Sequence, residues 1–167
     1  IDDRPNILFI AVDDLKPTIG AYGDEIAITP NLDKLSENAT TFHNNHTQQA
    51  ICGPARASIM TGKRPDYTKV WDLKTKMRDM VPDIVTIPQF FKNNGYKTIG
   101  LGKIFDPRCV DQFKDKPSWT VPYIPEHKMG YPKDYGPPAM GFYQNPEIKS
   151  KILHLRNEAK SKGVKDL

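Results

Sequence analysis

The sequence predicts an α/β fold, a mostly parallel sheet flanked by helices. Three observations lead there. Asn6–Val12 (NILFIAV) is an unbroken apolar run, the pattern of a central strand buried on both faces. Tyr96–Leu101 (YKTIGL) reads as a second buried strand. Between them lie segments with helix start and stop residues, so strands and helices succeed one another as an α/β sheet requires.

Each element has a local cause. Asp13 and Asp14 follow the first strand directly. Sites in open α/β sheets form beyond the carboxyl ends of strands, so this pair of carboxylates is a candidate site. Thr29-Pro30-Asn31 opens a helix: Thr29 suits the cap, Pro30 the first helical position, and Leu32 and Leu35 share a face. Ala39–His43 reads as extended. Pro54–Thr61 reads as a short helix with Gly62 at its C-terminal end. Thr86–Asn94 is another, with Ile87, Phe90 and Phe91 expected inward and Gly95 closing it. The second strand ends at Gly102-Lys103.

Composition narrows the class. The chain has 167 residues, which is about one domain by length. Hydrophobic residues make up 38%, so the expected core is modest. The longest apolar run, Ile7–Val12, is far short of the roughly 20 residues a membrane span needs. The start, Ile1-Asp2-Asp3-Arg4, is polar, so no signal peptide is expected in this stretch, and a mature product whose signal has been removed stays open. Two cysteines, Cys52 and Cys109, are too few for a disulfide framework, and a single bridge stays open. The net charge is +4, and most of it sits in Glu147–Leu167, with six basic residues against three acidic. That reads as one solvated helix. A nucleic-acid module would show a basic stripe with interleaved aromatics, so no nucleic-acid partner is expected.

The chain divides into three parts. Residues 1–106 form the N-terminal part of an α/β catalytic domain. Residues 107–146 are an excursion holding eight of the 15 prolines and many aromatics, among them Phe113, Trp119, Tyr123, Tyr131, Tyr135, Phe142 and Tyr143. Proline lacks the donor that ladders and helices need, while the aromatics argue against disorder. A loop this long is often functional. Residues 147–167 carry a basic amphipathic helix, read as Pro146–Lys162, with Ile148, Ile152, Leu155 and Ala159 on one face.

The most informative stretch is Cys52-Gly53-Pro54-Ala55-Arg56. Taken alone, Cys52 reads as a small buried hydrophobe. Its neighbours place it at a helix N-terminus, where amide donors favour anions, and Arg56 lies one turn on. Together with Ala57-Ser58-Ile59-Met60-Thr61-Gly62-Lys63-Arg64-Pro65, this stretch resembles the signature of the type I sulfatases. Arg4–Ile10 ending in Asp13-Asp14 resembles that family's first strand and first calcium ligands. Thr29–Leu35 resembles its first helix, and Gly95–Thr98 with Gly100–Lys103 the strand that delivers the active-site lysine. Asp14-Leu15-Lys16-Pro17, Ala21-Tyr22-Gly23-Asp24, Gln48-Gln49-Ala50 and Ile87–Lys92 resemble the iduronate-2-sulfatase branch. The resemblance covers residues 4 to 107 well.

The resemblance implies an alkaline-phosphatase/sulfatase-like sheet, incomplete in this chain. It implies that Cys52 is oxidised to 3-oxoalanine (formylglycine), the nucleophile. Arg56 would hold that group, Lys103 would contact the sulfate, and Asp13, Asp14 and position 52 would bind Ca²⁺. Sulfate-ester hydrolysis puts charge on the leaving alkoxide and the sulfuryl group, which a divalent cation and basic side chains offset. The implied substrate is a sulfated carbohydrate, with a 2-O-sulfated uronate as one candidate. The implied location is extracytoplasmic: periplasmic, secreted or lysosomal. Two departures stand out. The positions after Lys103 where many members carry histidine hold Phe105 and Asp106. The later calcium ligands, lysine and histidine have no counterpart after Lys103. A C-terminal segment or second chain is therefore expected as a partner.

Other readings are a phosphonate or phosphate monoester hydrolase of the same superfamily, a catalytically incompetent anion-binding piece, and a basic interaction module using the last helix. His43 and His46 are expected to be structural, His127 lies in the excursion, and His154 falls on a helix flank. Asn38-Ala39-Thr40 and Asn45-His46-Thr47 fit the glycosylation acceptor pattern.

Overall fold

The computed structural model describes residues 4–111, 114–125 and 146–162. The chain forms two compact units, Ile1–Glu126 and His127–Leu167.

The first unit is mostly short helices joined by ordered loops. A single 3-10 turn at Gly20–Tyr22 precedes helix α1, Pro30–Ser36. Pro30 takes the first position as expected, but Thr29 makes no side-chain cap. Its hydroxyl accepts from Gly20 N (2.9 Å) and donates to Asp33 Oδ1 (3.0 Å), tying α1 to the turn instead. Leu32 and Leu35 are exposed. Helix α2 spans Cys52–Thr61 and ends at Gly62, whose φ of 65° and N–H bond to Ser58 O (2.8 Å) make the left-handed stop. Two further helices, α3 (Pro65–Thr68) and α4 (Met77–Met80), have no counterpart in the sequence reading. Helix α5, Ile87–Asn93, is capped by Thr86, whose hydroxyl accepts from Gln89 N.

The core of this unit is formed by Ala57 and Met60 of α2, Met77 of α4, and Val70, Ile84, Phe105, Cys109 and Val110. Cys52 and Cys109 are both free thiols. The inward set expected for α5 is corrected: Ile87 and Phe90 are exposed, and the residue it buries is Pro88. Phe90 and Phe91 stack edge-to-face, as do Phe91 and Tyr96.

The sheet is smaller than expected. Among the described residues it has two strands, β1 (Leu101–Gly102) and β2 (Ile124–Pro125), paired in parallel with Leu101 opposite Ile124. Backbone bonds from Thr120 and Val121 to Thr98 O, and from Ile124 to Gly100 O, extend the pairing outside the strands. The segment at 98–102 is half-buried rather than buried on both faces. Gly100 faces Trp119 and Tyr123 and Thr98 bonds Ser118 O and Thr120, while Ile99 and Leu101 are exposed.

The Asn6–Val12 strand is also corrected. These residues form no strand, and Leu8 (84% exposed) and Ile10 (74%) stand open. A strand is stabilised by its neighbours' ladder and by cover on both faces, and no described residue supplies either to this segment. The segment lines a cavity of about 300 Å³ with Ile99, Leu101, Phe91 and Tyr96.

The start of the excursion is pinned by more than aromatics. Trp119 and Tyr123 stack at 5.4 Å, and Phe105 meets Trp119 edge-on. Asp115, fully buried, takes Arg78 Nε at 2.5 Å and Arg78 Nη2 at 3.0 Å, and Ser118 donates to it. Arg78 also donates to Gln89 Oε1 (2.7 Å) and Ile84 O (2.8 Å). One guanidinium thereby joins α4, α5 and the 3-10 turn at Lys116–Ser118.

The second unit contributes helix α6, Pro146–Ser161, close to the expected bounds. Leu153, His154 and Leu155 are exposed on it, so Leu155 of the expected apolar face is uncovered. The side chains of Ile148, Ile152 and Ala159, together with Phe113, His127 and the aromatics from Tyr131 to Tyr143, lie outside the described residues.

Candidate active site

Cys52 is the first residue of α2, with Ile51 in extended backbone before it. Arg56, four residues on, points back along the same face. Its side chain is only 8% exposed. It donates through Nη2 to Asp13 Oδ1 (2.8 Å), and through Nη1 to the carbonyls of Ile104 (3.0 Å) and Lys103. Lys103, just after β1, donates through Nζ to the other oxygen of Asp13 at 2.6 Å. Four of the five residues expected from sequence thus meet around one carboxylate and one helix start. Asp14 comes next in a left-handed backbone (φ 52°), where Asp is tolerated better than most side chains. Asp13, Asp14, Cys52, Arg56 and Gln49 line one cavity of about 450 Å³. Gln49 Oε1 is buried there without a hydrogen-bond partner.

The charges are mutually supported. Burial opposes the charge on Asp13, but hydrogen bonds from Lys103 and Arg56 outweigh it and hold the carboxyl below its ordinary range. Partial burial works against the Lys103 ammonium, and its bond to Asp13 reverses that and raises its pKa. Cys52 differs: burial, then the hydrogen bond and charge of Asp106, push its thiol up. A thiolate nucleophile requires the opposite tuning.

Asp106, which stands where many family members carry histidine, lies beside Cys52. Its side chain is fully buried, and Cys52 Sγ donates to Oδ2 at 2.9 Å. Arg108 grips the same carboxylate from Nε to Oδ1 (2.9 Å) and Nη2 to Oδ2 (2.8 Å), with its backbone N–H also on Oδ1 (3.0 Å). Arg108 Nη2 is 3.4 Å from Cys52 Sγ. Burial opposes the Asp106 charge, and the Arg108 and Cys52 bonds overcome it, holding the carboxyl far below the usual range. The only sequence signal for this pair was a departure from the expected histidine.

The surroundings of position 52 fit a side chain that carries hydroxyls, because an ionised acceptor and a guanidinium donor both face it. They do not by themselves make a calcium site. Ca²⁺ takes about six to eight oxygens. Both Asp13 oxygens are held by cations, and no group of three or more His, Cys, Asp or Glu side chains among the described residues could hold a metal.

A sulfatase family model matches residues 5–147. The chain belongs to the sulfatase family. It is 41% identical to human iduronate 2-sulfatase over 125 residues, which is 75% of this chain and 23% of that protein. It is 40% identical to a sulfatase of Formosa agariphila over 121 residues, 68% of this chain and 24% of the relative. A choline-sulfatase of Rhizobium meliloti is 32% identical over 136 residues, 80% of this chain and 24% of its own length. The chain spans about a quarter of the length of the curated relatives it matches. The α/β assignment therefore holds at family level, with the sheet only partly represented here. No helix among the described residues is long and apolar enough to cross a membrane.

Proposed function

We propose that the complete protein hydrolyses sulfate esters of a sulfated carbohydrate, with a 2-O-sulfated uronate as the favoured substrate, and that Cys52, Arg56, Lys103, Asp13 and Asp14 form its centre. The observation that supports this most is the joining of Cys52, Arg56 and Asp13 at one cavity, with Lys103 bonded to Asp13 from 90 residues away.

Formylglycine derived from Cys52 would supply an aldehyde carbon whose hydrate offers a hydroxyl nucleophile that is regenerated in each cycle. Arg56 fixes the start of α2 against Asp13 and the carbonyls of Lys103 and Ile104, and keeps positive charge next to the reacting residue. Lys103, partly exposed, presents its ammonium toward an incoming sulfate while Asp13 holds it in place. Asp13 and Asp14 are oxygen donors of the type Ca²⁺ takes, and would contribute to a site, shared with position 52, whose other donors lie beyond the described residues. The expected location is extracytoplasmic, where sulfated polysaccharide is met.

The isolated chain is expected to be inactive. Its exposed Ile7, Leu8, Ile10, Ile26 and Ile28 call for cover by a further segment or second chain. Parallel assays of the complete, converted protein on sulfate and phosphate monoesters test the proposal. Sulfate-ester turnover is the expected result. Phosphate turnover alone would replace the reading with that of a phosphate monoester hydrolase.

A further inference from the structure

A carboxylate beside a sulfate is electrostatically unfavourable, and Asp106 stands where many family members carry histidine. The structure nevertheless puts it in contact with Cys52 Sγ, at 2.9 Å, and buries it completely. The cost of that burial is met by one residue. Arg108 gives the carboxylate two side-chain bonds and one backbone bond, and remains half exposed itself. The Cys109 thiol, the other titratable group of this loop, donates to Asp72 O rather than to Asp106. All the acceptor capacity of Asp106 that Arg108 leaves unused therefore faces position 52.

We propose that Asp106 is a catalytic carboxylate that orients the reacting side chain at position 52 by accepting its hydrogen bond, and that Arg108 is the positioning residue that holds it. This inference rests on the sulfatase reading above. The geometry sets a strict requirement at Oδ2. Oδ1 accepts two bonds from Arg108 and Oδ2 a third, so an asparagine here keeps its carbonyl on the Arg108 Nε and backbone N–H and turns its NH₂ toward position 52 and Arg108 Nη2, both donors. The substitution Asp106→Asn thus replaces an acceptor with a donor at nearly unchanged volume.

The consequence is a split that a merely structural residue would not give. Misorientation of the reacting group lowers kcat by about 100-fold. KM stays within about threefold, because the substrate's own contacts are intact. Removing the negative charge also tightens binding of inorganic sulfate by about fivefold, the direction Coulomb's law dictates.

The test uses the complete protein. Hydrolysis of 4-nitrophenyl sulfate is measured for the converted wild type, Asp106→Asn and Arg108→Gln. Inorganic sulfate is titrated by calorimetry into the unconverted forms of the same proteins. Lower kcat with unchanged KM and tighter sulfate binding in Asp106→Asn is the expected result. Arg108→Gln, whose shorter amide can still donate to Asp106, is expected to lose about tenfold in kcat and decides the matter if Asp106→Asn does not fold. An active wild type with either folded variant within about twofold of its kcat overturns the inference. So does a joint loss of kcat and sulfate affinity in Asp106→Asn. An inactive wild type with tightened sulfate binding in Asp106→Asn overturns the sulfatase reading but leaves Asp106 as the carboxylate facing an anion at position 52.

Discussion

Asp13 is shared by two cations from distant parts of the chain, and Arg56 is the more deeply buried of the two. The Arg56 guanidinium is almost wholly buried, while the Asp13 carboxylate is about one-third exposed (37%). Removing Arg56 leaves three acceptors unmatched, whereas removing Asp13 leaves Arg56 its carbonyl bonds. Arg56→Ala is therefore expected to cost about 3–5 kcal/mol in the complete protein. Asp13→Asn is expected to cost about 1 kcal/mol. Urea unfolding of the two variants checks the order. Arg56→Lys should recover little, since an ammonium cannot span the same fork of acceptors.

The dependence of stability on pH follows from two groups shifted in opposite directions. Asp106 is depressed below its ordinary 3.8, so its contribution is complete above that value and is lost as pH falls below it. Cys109, lifted by burial and then by the Asp106 charge to about 11 from 9.0, contributes fully below pH 9 and loses that contribution as pH rises toward 11. Thermal melts across pH should show both edges. Asp106→Asn should flatten the acid edge, and Cys109→Ala the alkaline one.

Gly53 is required by space. A Cβ there would stand 2.6 Å from Cys109 Sγ and 2.8 Å from the Asp72 carbonyl oxygen, and the latter is backbone that cannot swing aside. Gly53→Ala is expected to destabilise the complete protein by about 1–3 kcal/mol. Because Gly53 adjoins Cys52, it should also reduce turnover. Differential scanning calorimetry alongside the activity assay reads both effects.

Arg78 holds the beginning of the excursion. Asp115, fully buried with Arg78 and Ser118 on its oxygens, would be left charged and unpaired by Arg78→Ala. The expected loss is about 3–5 kcal/mol. Limited proteolysis should then cut first between residues 107 and 125, ahead of the helices. Cleavage elsewhere would show that this pair does not pin the segment.

The site was more legible in the sequence than the sheet. Cys52, Arg56 and Gly62 follow from local chain logic: a helix start, one turn of rise, and a left-handed stop. Asp13 and Lys103 were placed by the motifs around them, and the ion pair between them agrees with that placement. Asp106 was missed because its meaning depends on Cys52, 54 positions away, and on Arg108, which no periodicity marks. The Arg78–Asp115 pair was missed for the same reason. Asn6–Val12 reads as a strand by composition, yet strand formation depends on neighbours in space, and none of the described residues pairs with it.

The mechanism requires position 52 to react as a modified residue and not as a thiol. Its most direct test is to prepare the complete protein at several extents of Cys52 conversion, read by mass spectrometry of the peptide containing it, and to measure sulfate-ester hydrolysis on each preparation. Turnover proportional to the aldehyde fraction, and absent in Cys52→Ala, is the predicted result. Equal turnover by the wholly unconverted thiol form would show that the thiol itself suffices.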